Sequence, residues 1–154
     1  MADQSKIGME FPASTFIIEK DKIIEFAIAV SQKEMKNQIH PVYHDEKAAK
    51  AAGYEGIPIP PTFLTSSFFW TGDGLTGMVT ALGINLKRLL HREEEYEYFC
   101  PIHAGDIITR KMKVADIIKK GKGARTLDMT ILEVEYINQR NELVAKSRTT
   151  LTEI

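Results

Sequence analysis

What is scarce in these 154 residues narrows the field first. A single cysteine, Cys100, permits no intrachain disulfide and no cysteine-based zinc site. Neither sign of charge dominates, with 20 Lys and Arg against 21 Asp and Glu for a net charge of −1. Nucleic-acid and anionic-membrane binding both depend on clustered positive charge, so neither partner is expected. No apolar run approaches the roughly 18 residues of a membrane span. The opening MADQSKIGME has no signal-peptide core. Repeats, low-complexity tracts and Gly/Ser/Pro-rich linkers are missing too. The reading is one domain, residues 1–154, of a soluble cytoplasmic protein. A chain this long buries roughly 70% of its unfolded surface and needs no metal or disulfide staple.

The helical signals lie between Lys20 and Leu90, together with every proline except Pro12 and Pro101. Ser14–Glu19 is a short strand candidate. Behind an acidic cap at Asp21, the residues Ile23, Phe26, Ala27 and Val30 follow the spacing of an amphipathic helix. Asp45 caps a second helix through Ala52, which Gly53 stops in the left-handed conformation. Pro58, Pro60 and Pro61 force an extended stretch. Thr62–Trp70 is apolar enough for a buried helix, and strand is the competing reading.

Beyond Arg92 the chain reads as an antiparallel meander of Leu89–Cys100, Asp106–Ile118, Ala124–Tyr136 and Leu143–Thr152. Turn chemistry separates the four at His103–Asp106, Lys119–Gly123 and Asn138–Asn141. In the last strand Leu143, Ala145, Ser147, Thr149 and Leu151 share one face. The third changes parity between Ile131 and Leu132, and a β-bulge there would return all its apolar residues to the core. The fold class is α+β, a long curved antiparallel sheet around a buried helix.

The segment His40–Asp45 (HPVYHD), followed by AAKAAGYEGIPIPPTF through Phe63, resembles the hydratase region of the MaoC-like hotdog family. EYEYFCPIHAGDIITRKMKVADI and LEVEYINQRNELVAKSRTTL resemble the second-half strands of the same family. Together these stretches span about Lys22 to Leu151. The resemblance implies a hotdog fold, normally paired, in a family of (R)-specific enoyl-thioester hydratases and (3R)-hydroxyacyl-thioester dehydratases.

Active members of that family carry Gly-Asp-x-Asn-Pro-(apolar)-His. Here Pro41 and Val42 match, His40 stands for the Asn and Tyr43 for the catalytic His. The Gly-Asp pair falls on Asn37-Gln38, and between Val30 and Pro41 the only carboxylate is Glu34. Hydration of an enoyl thioester needs a base for water, an acid for Cα and donors for the thioester oxygen. Tyrosine, with a pKa near 10, is a poor base at neutral pH. Glu34, His40, Tyr43, His44 and Asp45 are the weak catalytic candidates. Asp45 reads more simply as a helix cap and His44 as its neighbour. No zinc site is read from His40 and His44, because Pro41 stands between them.

Pro61, Thr62 and Phe63, at the start of the buried helix, are the candidate substrate-binding residues, their backbone N–H groups aimed at a thioester carbonyl. The resemblance implies an acyl-CoA or acyl-carrier-protein thioester as ligand and no cofactor or metal. The leading expectation is a non-catalytic dehydratase subunit, paired with a hotdog partner whose motif is intact. Two alternatives stand beside it: a homodimeric acyl-CoA-binding or regulatory module without turnover, and an autonomous hydratase or thioesterase with a displaced dyad.

Overall fold

The computed structural model describes residues 3–70, 74–121 and 126–154. The loop tip Lys122–Gly123 and the expected strand start at Ala124 lie outside the described residues. Among the described residues, no helix is long and apolar enough to cross a membrane.

Five strands form one antiparallel sheet: β1 (Ser14–Ile17), β2 (Leu89–Tyr98), β3 (Ile107–Lys120), β4 (Leu127–Ile137) and β5 (Leu143–Glu153). Their order is β1-β3-β4-β5-β2, so β1 and β2 are the edges. Of the expected four-strand meander only β3, β4 and β5 follow one another; the first strand is a correction, because β2 pairs with β5 and β1 takes its expected place beside β3. Before β1, Phe11 N–H donates to the Met112 carbonyl at 2.9 Å and extends the pairing along β3.

The helices fall between β1 and β2 in sequence. Helix α1 (Lys20–Ser31) buries Ile23 and Ala27, one turn apart, whereas Val30 is exposed. Its cap is Glu19, not Asp21; Asp21 lies in the first turn, where its charge suits the helix dipole. Gln32, at φ 54°, ends the helix in the left-handed conformation. Helix α2 (Glu46–Ala51) is capped by Asp45, and Gly53 (φ 92°) follows it, as the sequence suggests. Thr62–Trp70 is neither α-helix nor strand but a 3-10 helix over Phe63–Phe69. The regular turns come later, in α3 (Gly74–Leu82). Phe63 and Leu64 from the 3-10 helix, with Met78, Val79 and Leu82 from α3, pack on Ile108, Val114, Leu132, Val134 and Tyr136 of the sheet. Each fully buried aliphatic side chain of this kind contributes about 1.5–3 kcal/mol. This is the hotdog arrangement, an antiparallel sheet curved about helical segments.

The expected bulge in the third strand of the meander is a correction. β4 runs unbroken, with Asp128, Thr130, Leu132, Val134 and Tyr136 all facing the core. The register shift lies in the neighbour, where Val114 pairs with Leu132 but Asp116 with Ile131, leaving Ala115 as the extra residue of β3. Leu127 and Met129 therefore lie on the outer face beside Lys120 and Ile118. A second shift, between His91 and Glu93, makes Arg92 the extra residue of β2.

Candidate functional site

The HPVYHD segment folds as a 3-10 turn, Pro41–Tyr43, entered through His40 at φ −59°, ψ 130°. A residue before proline favours this extended backbone, and proline suits the first helical position. The His40 imidazole caps the turn, its Nδ1 accepting from Val42 N–H at 3.2 Å. That bond puts the ring proton on Nε2. An Asn side chain carries its acceptor the same number of bonds from Cα, so His40 caps the turn as an Asn at this position can.

Tyr43 ends the turn half-buried, its ring centroid 6.3 Å from that of His40. Burial first, and then the nearby Tyr54, raise its hydroxyl above the ordinary tyrosine value. Asp45 accepts from Lys47 N–H at 2.8 Å and Ala48 N–H at 3.4 Å, which holds its carboxyl below the usual range. Glu34 is exposed, in a loop where its N–H donates to the Gln38 side chain at 3.2 Å. His44 is half-buried between Tyr43 and the cap. The five weak candidates are thus neighbours along one loop, and no hydrogen bond joins an imidazole to a carboxylate among them.

At Pro61–Phe63 the geometry differs from that of an open helix start. Proline has no N–H, and the Phe63 N–H is engaged by the Pro60 carbonyl at 3.0 Å. The Phe63 ring lies in the core, edge-on to Phe26 at 5.5 Å and tilted on Trp70 at 5.2 Å. Only Thr62 keeps an exposed position with a backbone donor, so a fan of N–H groups is not what this turn offers. Two tyrosines pin the segment to β2 instead. Tyr98 donates to the Pro61 carbonyl at 2.7 Å, and the Tyr96 and Thr65 hydroxyls meet at 2.5 Å. Burial raises the pKa of both phenols far above the ordinary value, so both stay protonated.

These tyrosines belong to a polar set on the inner face that the sequence reading missed. Arg110, 7% exposed, donates to the Ser67 hydroxyl at 3.3 Å. The Tyr136 and Ser147 hydroxyls lie 3.5 Å apart. His91 Nε2 and Glu94 Oε2 are 2.8 Å apart, while Glu94 Oε1 is buried without a hydrogen-bond partner. His91 and Glu94 are three apart, a spacing that places residues on opposite faces of a regular strand; the extra Arg92 turns both inward. The available signal was the alternation Glu94-Tyr96-Tyr98, whose first member reads as solvent-facing.

Two grooves among the described residues lie elsewhere. One groove of about 680 Å³ crosses the outer face of the sheet between Glu95, Lys111, Glu133, Lys146 and Arg148. Another of about 270 Å³ lies beside Tyr54, Cys100, His103 and Asp106. Neither touches Tyr43 or Pro61–Phe63.

Comparison with known proteins agrees with the resemblance drawn from HPVYHD and the strands. The profile of the FAS1-like, dehydratase domain region matches residues 5–147. The chain belongs to the MaoC-like hotdog dehydratase family. A UPF0336 protein of Saccharopolyspora erythraea is 31% identical over 150 residues, covering 97% of this chain and 89% of its own. The HadBC (3R)-hydroxyacyl-ACP dehydratase complex of Mycobacterium tuberculosis is similar in fold, with a TM-score of 0.76, 23% identity and 96% of each chain covered. An (R)-hydratase of A. caviae involved in PHA biosynthesis superposes with a TM-score of 0.66 at 14% identity, over 94% of each chain. This MaoC-like chain therefore shares the hotdog scaffold of hydratases and dehydratases, while its own motif positions hold Gln38, His40 and Tyr43.

Proposed function

We propose that the chain is the acyl-thioester-binding, non-catalytic subunit of a (3R)-hydroxyacyl-thioester dehydratase or (R)-specific enoyl hydratase. The observation that carries this reading is Tyr43, which stands where the family motif has its histidine. Its phenol is held above the ordinary tyrosine value and cannot take a proton near pH 7. His40 supports the same reading, because its Nδ1 is engaged in capping. Gln38, at the motif Asp, carries a carboxamide, which is neither an acid nor a base near pH 7.

In this division of labour the partner subunit supplies the Asp and His. One of them removes the Cα proton and the other protonates the departing hydroxyl. This chain contributes the turn at Pro61–Phe63, fixed to β2 by Tyr96 and Tyr98, as one wall of the acyl site.

The experiment mixes the purified chain with a hotdog subunit of the same organism whose Gly-Asp-x-Asn-Pro-x-His is intact. Crotonyl-thioester hydration should rise at least tenfold over that partner alone, and the two should co-elute. No change in rate or in eluted mass overturns the reading.

A second reading has one observation of its own, the hydrogen-bonded His91–Glu94 pair. If that pair acts as a displaced dyad, the isolated chain hydrates the thioester, and His91→Ala abolishes the activity.

A further inference from the structure

β2 is an edge strand of ten residues whose only neighbour among the described strands is β5. Inward it presents Glu94, Tyr96 and Tyr98; outward it presents three exposed glutamates in a row, Glu93, Glu95 and Glu97. The glutamates end a charge pattern that crosses the whole sheet. One rung of directly paired residues reads Lys111, Glu135, Lys146, Glu97 from β3 to β2. The next reads Lys113, Glu133, Arg148, Glu95. Signs alternate at every step, as opposite charges on neighbouring strands favour.

The pattern is satisfied from within and left open at the edge. Glu133 meets Lys113 at 3.3 Å and Arg148 at 3.4 Å, and Glu135 meets Lys146 at 3.4 Å. Both cations of β5 thus turn toward β4. Among the described residues Glu93 pairs only with its neighbour Arg92, at 3.3 Å. Glu95 and Glu97 make no salt bridge among the described residues. Exposed apolar side chains stand at both ends of the strand, Leu86 and Leu90 before the row, Tyr98 and Phe99 after it. Apolar ends around a charged centre can supply affinity and partner choice separately.

A second copy of this chain fits the edge badly. Antiparallel pairing of β2 with itself about a two-fold axis sets outward residues against outward residues. Centred on Glu95, it places Glu95 on Glu95 and Glu93 on Glu97 at each side. Centring on Glu94 or Tyr96 still leaves two Glu–Glu pairs, and like charges directly opposite repel. The next rung in either row calls for a cation. We infer that the β2 edge is a docking surface selective for a different subunit, whose edge strand carries Lys or Arg at alternate outward positions, and that the glutamate row disfavours the homodimer. The inference rests on the subunit reading above and adds the chemistry of the partner strand.

The test reads mass alone, by sedimentation, with no thioester present. Its failure therefore leaves the rate-enhancement experiment standing, and failure of that experiment does not decide this one. Two variants of the full chain are compared with the parent: a neutral one (Glu93→Gln, Glu95→Gln, Glu97→Gln) and a basic one with Lys at the same positions. In about 50 mM NaCl the parent should sediment as a monomer, and the neutral variant should self-associate at least tenfold more tightly. Salt near 1 M, where the screening length is about 3 Å, should tighten parent self-association. Parent and basic variant should form a 1:1 dimer that the same salt weakens. The inference is overturned by a parent homodimer as tight as that of the neutral variant, or by a neutral variant that stays monomeric. A folded basic variant that ignores the parent also overturns it, since an edge merely guarded by charge against aggregation gives that result. Should the basic variant fail to fold, the neutral variant decides alone.

Discussion

Arg110 of β3 donates to the Ser67 hydroxyl at 3.3 Å, and the ring of Phe68 lies 4.5 Å from its guanidinium carbon. One side chain thus ties the middle of the sheet to the 3-10 helix that crosses it. Arg110 is 7% exposed and makes no salt bridge among the described residues, so the hydrogen bond and the ring face carry its charge. Replacing Arg110 with Ala removes both contacts and opens a cavity. Urea unfolding should show a loss of about 2–4 kcal/mol. Arg110→Met keeps most of the volume and takes the buried charge away, so it should lose less than half as much. A Met variant as unstable as the Ala variant would show that the charge, not the stem, holds the helix down.

Asp45 gives a pH signature. Its ionised carboxylate accepts the Lys47 and Ala48 N–H groups, which lowers its pKa in the folded chain. The folded value lies below the unfolded one, near 3.9. The stabilisation is therefore complete above pH 4 and is lost as the pH falls through the lowered folded value. Asp45→Ala should melt below the parent at pH 7, and the gap should close on acidification below about pH 4. Asp45→Asn, which keeps an acceptor, should lose less at neutral pH. A gap that persists unchanged at pH 3 would mean that the cap does not depend on the charge.

These two residues mark the limits of what the chain discloses in one dimension. Asp45, Ala48, Ala49 and Gly53 lie within one helix and its ends, where local chemistry decides, and α2 is legible. Arg110 alternates with Ile108 and Met112 on the inward face of β3, and a charge there reads as an outward residue. Its place depends on Ser67 and Phe68, more than forty residues away in the chain. The parity change near Ile131 was visible, but the bulge that answers it lies at Ala115 on another strand, and pairing is not written in either segment alone. Tyr43 was legible as a departure from a motif. The fastening of the Pro61–Phe63 turn was not, because Tyr96 and Tyr98 reach Thr65 and Pro61 only once β2 closes the sheet.

Tyr43 itself should be dispensable for turnover. Its phenol stays protonated through the neutral range, so removing the hydroxyl takes away no working base. In the reconstituted complex Tyr43→Phe should leave kcat within about twofold of the parent, against the roughly 100-fold or greater loss expected when a true general base is removed. The rate should be read with thioester saturating, so that a packing effect on binding does not enter. A loss above tenfold, with the complex still assembled, would put Tyr43 among the catalytic groups.

Tyr98 joins the two surfaces on which the proposed function depends. Its hydroxyl holds the Pro61 carbonyl at 2.7 Å, so one side chain of the edge strand fixes the turn proposed to wall the acyl site. Tyr98→Phe leaves that carbonyl without its donor at a cost of about 0.5–1.5 kcal/mol. Global unfolding should record that modest loss, while hydrogen exchange at Phe63 and Thr65, whose N–H groups are bonded to the Pro60 and Thr62 carbonyls, quickens several-fold. Thioester affinity of the assembled complex should fall by a similar factor, since a loosened wall must be ordered again on binding. Should affinity hold while exchange quickens, Pro61–Phe63 would be a structural turn, and the acyl group would have to lie against another part of the sheet.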